Sequence, residues 1–202
     1  SNVLEALGIK FSNNKDFLKH CLEKAGICIL HAPLFHPAMK NVGPVRKELG
    51  LKTFFNMLGP LVNPCSPKNQ LTGVFNLELA RLYNYLLQKT NINFTILYSL
   101  DGYDEISLTS PVKAIGNDFE KLITAKDFCT EQIKAKSIQG GNNVKSSAKT
   151  FLDVLQNKGT KSQEDVVCAN AGMAIATALD LSPIEGFKLA KESLVSGKAF
   201  EA

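Results

Sequence analysis

Apolar residues fall at positions 3, 4 and 7 ahead of Gly8, so the chain opens in a helix already under way, with nothing before it to cap it. Ser12-Asn13-Asn14 supplies N-cap candidates for a second helix, Lys15 to Ala25, whose Phe17, Leu18, Cys21 and Leu22 form one apolar stripe that Gly26 ends. Ile27-Cys28-Ile29-Leu30, apolar throughout and bounded by Gly26 and Pro33, predicts a buried strand of a parallel sheet. Between His36 and Pro64 the pattern breaks into short helical pieces at Gly43-Pro44, Gly50, Gly59-Pro60 and Asn63-Pro64, the punctuation of a shaped loop region. Leu77 to Lys89 is the clearest helix, with Leu79, Leu82, Tyr83, Leu86 and Leu87 on one face, and the strand Phe94 to Tyr98 follows it. Val112, Ala114 and Ile115, then Leu122 and Ile123, flank Gly116-Asn117-Asp118, so residues 112–126 predict a hairpin or two short strands. The last third is helical: Ser146 to Gln156, Glu164 to Leu179, and Ile184 to Ser196 behind the cap Ser182-Pro183, with Gly197 as the stop.

Helices interleaved with parallel-type strands, and no internal repeat, predict an α/β layer architecture with a mainly parallel sheet and flanking helices. A length of 202 residues fits one domain. The 45% hydrophobic and 21% charged residues exclude disordered, collagen-like and disulfide-scaffold classes. A net charge of +4, spread along the chain, favours phosphate-bearing partners only weakly. The five cysteines are odd in number and contain no CxxC pair, which suggests reduced thiols rather than a disulfide framework or zinc ribbon. No stretch approaches the roughly 18 continuous apolar residues of a membrane helix, so the cytoplasm is the expected location.

Three acidic residues, Asp101, Asp104 and Glu105, stand directly behind a predicted strand, where open α/β sheets bind ligands. Adjacent carboxylates repel unless a cation joins them, and Mg²⁺ prefers hard oxygen ligands while keeping waters and substrate phosphates. On a strand Asp104 and Glu105 would point to opposite faces, so joint metal work needs a turn or helix start, which Gly102 permits. Read locally, the same residues also fit a solvated acidic turn capping a helix. Arg46, on a short helical piece beside an apolar loop, could grip a carboxylate with two bonds, or equally pair with Glu48 in solvent. His36 before a proline reads as structural, and Gly140-Gly141 lacks the Lys-Ser/Thr of a phosphate loop and reads as a turn. The three histidines at 20, 31 and 36 nominate no nucleophile, which speaks against triad hydrolysis.

Together, HPAMKNVGPVRKELGLKTFFNMLGPLVNP, QLTGVFNLELARL, DGYDEISLT and GMAIATALDLSPIEGFKLAKESLVSGKAFEA resemble, in the same order, the corresponding blocks of the anthranilate phosphoribosyltransferases, and the likeness runs from Asn2 to Ala202. The resemblance implies a nucleoside phosphorylase/phosphoribosyltransferase-like catalytic domain. Its reaction is transfer of 5-phosphoribosyl from phosphoribosyl pyrophosphate to the amino nitrogen of anthranilate, with Mg²⁺, in tryptophan biosynthesis. It also implies that Arg46 holds anthranilate and that Asp104 and Glu105 bind Mg²⁺ and through it the pyrophosphate. No general acid or base is assigned, because positioning a neutral aniline nitrogen supplies most of the rate.

The chain also departs from the pattern. The family's GTGGD-type and KHGNR-type segments do not occur in it, and Tyr98-Ser99-Leu100 stands where members usually carry histidine and glycine before Asp-Gly. Residues 1–202 are therefore expected to be the C-terminal part of the α/β domain, incomplete at the N-terminus, with 36–64 as hinge and acceptor-site segment. Expected with this are an inactive isolated chain, weak affinity for phosphoribosyl pyrophosphate, self-association through open sheet edges, and a homodimer at full length. The competing readings are a pyrimidine nucleoside phosphorylase and a non-catalytic paralogue that binds nucleic acid or another ligand. Intact Asp104 and Glu105 speak against nucleic acid.

Overall fold

The computed structural model describes residues 1–36 and 55–202. The chain divides into two compact units, residues 1–66 with 142–148 and 201–202, and residues 67–141 with 149–200.

In the first unit α1 (Asn2–Ala6) starts at Ser1 without a side-chain cap. Helix α2 (Lys15–Ala25) has the predicted bounds: Asn14 Oδ1 accepts from Phe17 N at 3.0 Å, and Gly26 closes the helix at φ 71°. Two short helices, α3 (Ala32–Phe35) and α4 (Phe55–Leu58), and a 3₁₀ turn at Gly59–Leu61 follow. Phe11 stacks on His31 with ring centroids 4.4 Å apart. The strand expected at Ile27–Leu30 is not formed. A strand exists only through a ladder, and among the described residues no segment pairs with 27–30, while Ile27 is 58% exposed.

The second unit is built on a sheet of β1 (Asn69–Gly73), β2 (Asn93–Ser99), β3 (Val112–Gly116) and β4 (Glu120–Ile123), in that spatial order. The α/β class is as expected, but the sheet is mixed rather than mainly parallel. Strand β1 pairs in parallel with β2, and β2–β3 and β3–β4 are antiparallel. A parallel pair needs a crossover, and α5 (Leu77–Leu87) provides it, capped by Asn76 Oδ1 accepting from Leu79 N at 2.8 Å. Strand β1 escapes a reading by periodicity because Asn-Gln-Leu-Thr-Gly offers one large apolar side chain, Leu71, which packs on the core.

Helices α6 (Val144–Leu155), α7 (Lys161–Leu179), α8 (Pro183–Val195) and α9 (Lys198–Glu201) complete the chain. Capping boxes start α7 (Thr160 with Gln163) and α8 (Ser182 with Glu185), so α7 begins one turn before its apolar pattern does. These two helices cross so closely that a Cβ on Gly172 would lie 2.6 Å from Phe187 N. Lys191 and Glu164 bridge them at 2.8 Å. Ala169 and Met173 of α7 join Leu97, Val112, Ala114 and Ile123 of the sheet in the principal core. The Thr177 hydroxyl donates to Met173 O and accepts from the buried Thr95 Oγ1, both at 2.8 Å, and the second bond fixes α7 on the β2 face carrying residues 95, 97 and 99. Phe94 and Ile96 are buried on the opposite face.

All five cysteines are free thiols, and burial pushes the Cys168 thiol above its ordinary pKa. Among the described residues no single helix is long and apolar enough to cross a membrane.

Candidate functional site

Because β1 and β2 run in parallel, Gly73 and Ser99 end at the same edge of the sheet, and residues 100–111 leave β2 there before returning as β3. The loop turns at once: Gly102 N donates to Ser99 O at 2.9 Å and Ser99 N to Tyr103 O at 3.0 Å. Gly102 lies at φ 95°, a conformation a side chain would strain, and the turn keeps Asp104 and Glu105 off the strand.

The three acids divide by environment. Asp101 is held inside the loop: Ser99 Oγ donates to its Oδ1 at 2.7 Å, and Thr109 Oγ1 bonds its Oδ2. Buried Ser107 Oγ stands 3.1 Å from Ser99 Oγ and 2.7 Å from Thr109 Oγ1. Since Ser99 and Thr109 each spend their one proton on Asp101, Ser107 donates to one of them and closes the network. Asp104 and Glu105 are exposed and have no hydrogen-bond or ion-pair partner among the described residues.

Behind the pair the chain turns inward. Ile106 and Leu108 are 1% and 2% exposed and belong to the principal core, so the loop is anchored through its apolar residues. Three further contacts grip it. Asn170 of α7 accepts from Ile106 N at 2.9 Å and donates to Ile106 O at 2.8 Å. Ile133 N donates to Leu108 O at 3.0 Å, and Gln132 Nε2 to Thr109 O at 2.7 Å. Gly73 abuts Asp104 so tightly that a Cβ there would collide with the Asp104 carbonyl. Leu108 sits at φ 58°, a left-handed conformation costly for this residue type and sustained by its burial.

A cavity of about 460 Å³ opens where Leu108, Ser110 and Pro111 face Thr124–Lys126 and Thr130–Gln132, and neither Asp104 nor Glu105 lines it. Beside it, Asp165 of α7 accepts from Thr130 Oγ1 at 2.9 Å and from Lys161 Nζ at 2.8 Å. The hydrogen bond, then the charge of Asp165, hold the Lys161 ammonium above its ordinary pKa.

The residues present suit a hard divalent cation. Two adjacent carboxylates with no cationic partner among the described residues are oxygen donors of the right type, and among those residues no group of three or more His, Cys, Asp or Glu converges. A site that supplies two ligands and leaves the rest to water and phosphate oxygens is the habit of Mg²⁺. Arg46, and most of the 36–64 segment, lie outside the described residues. Reading the sequence missed Gly73, Asp101's inward role and Asn170. The signal for Asn170 was present: a lone amide in the small-residue run Cys168-Ala169-Asn170-Ala171-Gly172.

Among known proteins, the chain is 63% identical over 201 residues to the anthranilate phosphoribosyltransferase of Flavobacterium psychrophilum, covering 100% of this chain and 61% of that protein. It is 62% identical over 202 residues to that of Flavobacterium johnsoniae, again 100% of this chain and 61% of the relative. It therefore spans about three-fifths of the length of the curated relatives it matches. The anthranilate phosphoribosyltransferase of Thermus thermophilus has the same fold at TM-score 0.89 and 29% identity, over 98% of this chain and 60% of its own. The Saccharomyces cerevisiae enzyme solved with PRPP and Mg shares the fold at TM-score 0.89 and 24% identity, over 98% of this chain and 57% of that one. Residues 1–200 match the model of one family along almost the whole chain, and the chain belongs to it: the glycosyl transferase family, a/b domain.

Proposed function

We propose that this chain is the C-terminal part of the α/β domain of an anthranilate phosphoribosyltransferase, working in tryptophan biosynthesis. The observation that carries the reading is the pair Asp104–Glu105, exposed and without a partner among the described residues at the carboxyl edge of two parallel strands, in a chain 63% identical to a relative of that name. On this reading Asp104 and Glu105 hold Mg²⁺, which when bound neutralises pyrophosphate as the leaving group of phosphoribosyl pyrophosphate. The two carboxylates orient that group at the carboxyl edge of the sheet, and Arg46 grips the carboxylate of anthranilate with paired hydrogen bonds. The amino nitrogen of anthranilate then bonds to the anomeric carbon as the bond to pyrophosphate oxygen breaks, the electron pair of that bond leaves with pyrophosphate, and the nitrogen gives its extra proton to water. A neutral aniline needs no strong base before attack, so alignment supplies most of the acceleration. Homodimerisation at full length and a cytoplasmic location accompany the reading.

The test follows loss of anthranilate fluorescence with phosphoribosyl pyrophosphate and Mg²⁺. It compares the 202-residue chain with the same chain joined to the N-terminal portion of the Flavobacterium psychrophilum relative. Turnover in the joined protein only, abolished by Asp104→Ala with Glu105→Ala, is expected. An inactive joined protein that folds overturns the reading.

A further inference from the structure

We infer that Asn170 is a positioning residue for the Asp104–Glu105 pair: from α7 it fixes both polar groups of Ile106 and so sets the direction in which the two carboxylates leave the loop. The inference rests on the metal-binding reading above. Its basis is a clamp between residues 64 positions apart, Ile106 N to Asn170 Oδ1 at 2.9 Å and Asn170 Nδ2 to Ile106 O at 2.8 Å. The second Nδ2 hydrogen goes to Val166 O at 2.9 Å, one turn back on the same helix. Both donors of the amide are thereby used, and the side chain is locked to the helix that carries it.

The helix is itself immobilised, since Ala169 and Met173 on either side of Asn170 are 0% and 3% exposed in the principal core. A residue bonded through both its N–H and its C=O cannot rotate about its own backbone without breaking a bond. Ile106 directly follows Glu105, so the clamp sits one peptide behind the proposed ligands. The Asp101 network holds the start of the loop and Gly73 meets it at Asp104. Asn170 is the contact from α7 that fixes its far side. Mg²⁺ tolerates little departure from octahedral geometry, so small rotations at Glu105 reach the metal directly.

The experiment uses the joined full-length protein and titrates Mg²⁺ calorimetrically in the presence of inorganic pyrophosphate, with amide exchange at Ile106 as a second readout. Asn170→Ala is expected to weaken Mg²⁺ binding by about 10- to 100-fold, the usual effect of losing a residue that orients metal ligands. It should also speed exchange at Ile106 and leave KM for anthranilate within about twofold. Thr177→Val removes a buried hydrogen bond of the same helix away from the loop. It should lower Tm while leaving Mg²⁺ affinity within about twofold. Asn170 variants that lose Tm but keep wild-type Mg²⁺ affinity overturn the inference. Should Asn170→Ala not fold, Asn170→Leu keeps the volume, removes both bonds to Ile106 and carries the same expectation. In the wild type, Ile106 exchanging at the unprotected rate overturns it without any variant. The double variant Asp104→Ala, Glu105→Ala separates the two readings. If it leaves Mg²⁺ affinity unchanged, the metal assignment fails, whereas a loss there with none at Asn170 refutes the positioning role alone.

Discussion

Gly73→Ala places the first atom of a side chain between β1 and the acidic loop. The new Cβ would lie 2.7 Å from the Asp104 carbonyl carbon and 3.3 Å from its Cβ, with the carbonyl oxygen nearer still. Carbon atoms rest at about 3.5–4.0 Å, so the two segments must separate by roughly an ångström. Neither can yield cheaply. Strand β1 is tied to β2 through its ladder and through Val74 N to Leu97 O at 2.9 Å, and the loop is tied through Ile106 to Asn170. Overpacking of this kind costs about 2 kcal/mol, which lowers Tm by about 5–10 °C for a unit of this size. The same displacement moves Asp104, so Mg²⁺ affinity measured with pyrophosphate should fall by at least about tenfold. Gly140→Ala is the control, since a Cβ there meets nothing within 4 Å and its φ is not left-handed. Scanning calorimetry and Mg²⁺ titration of both variants in the joined protein give the comparison. A Gly73→Ala protein as stable as Gly140→Ala, with wild-type Mg²⁺ affinity, would refute the claim that β1 and the loop are packed against each other to set the site.

Two further outcomes follow from separate parts of the chain. Arg46→Lys keeps the charge but loses the planar fork, so KM for anthranilate should rise about 30-fold, or about 2 kcal/mol, with KM for phosphoribosyl pyrophosphate nearly unchanged. Equal losses for both substrates in steady-state kinetics would remove Arg46 from the acceptor site. In the α8 capping box, hydrogen bonds from the Ser182 hydroxyl and backbone hold the Glu185 carboxyl below its ordinary pKa. A depressed folded value means stability present above the ordinary carboxylate pKa and lost as pH falls through the depressed one. Glu185→Gln should therefore be the less stable protein at pH 7, and the gap should close in acid. A gap that does not change with pH, in urea melts at several pH values, would contradict the charge-dependent cap.

Helices α2, α5 and α8 and the hairpin β3–β4 were legible because each carries its own period and its own stop or turn. The segment 27–30 and strand β1 fail in opposite directions for one reason. Strands are defined by neighbours: four consecutive apolar residues without a ladder remain irregular, while Asn69–Gly73, mostly polar, becomes a strand because β2 lies beside it. The site divides in the same way. Asp104 and Glu105 stand out locally as an acidic block behind a strand, which equally fits a solvated turn, and their metal role is what the family resemblance implies. The clamp from Asn170 does not stand out locally, because it joins positions 64 apart and exists only once α7 lies across the β1–β2 face.

In sequence Asp101, Asp104 and Glu105 are three equivalent acids in one short block, and like charges about 4 Å apart repel by roughly 1 kcal/mol in water and about 4 kcal/mol near a protein surface. The fold relieves this unequally. Ser99, two residues earlier, and Thr109, eight residues later, bring hydroxyls to Asp101, and Gly102 turns the backbone off the strand ahead of the other two acids, which are exposed. One carboxylate then organises the loop, and two are without donors among the described residues. On the proposed reading a bound cation relieves their repulsion. Two carboxylates leave most of an octahedral shell to other oxygens. On the proposed reading the phosphate groups of the substrate supply several of them, so the metal binds tightly only together with pyrophosphate. On that reading the loop couples metal binding to substrate binding through Asp104 and Glu105.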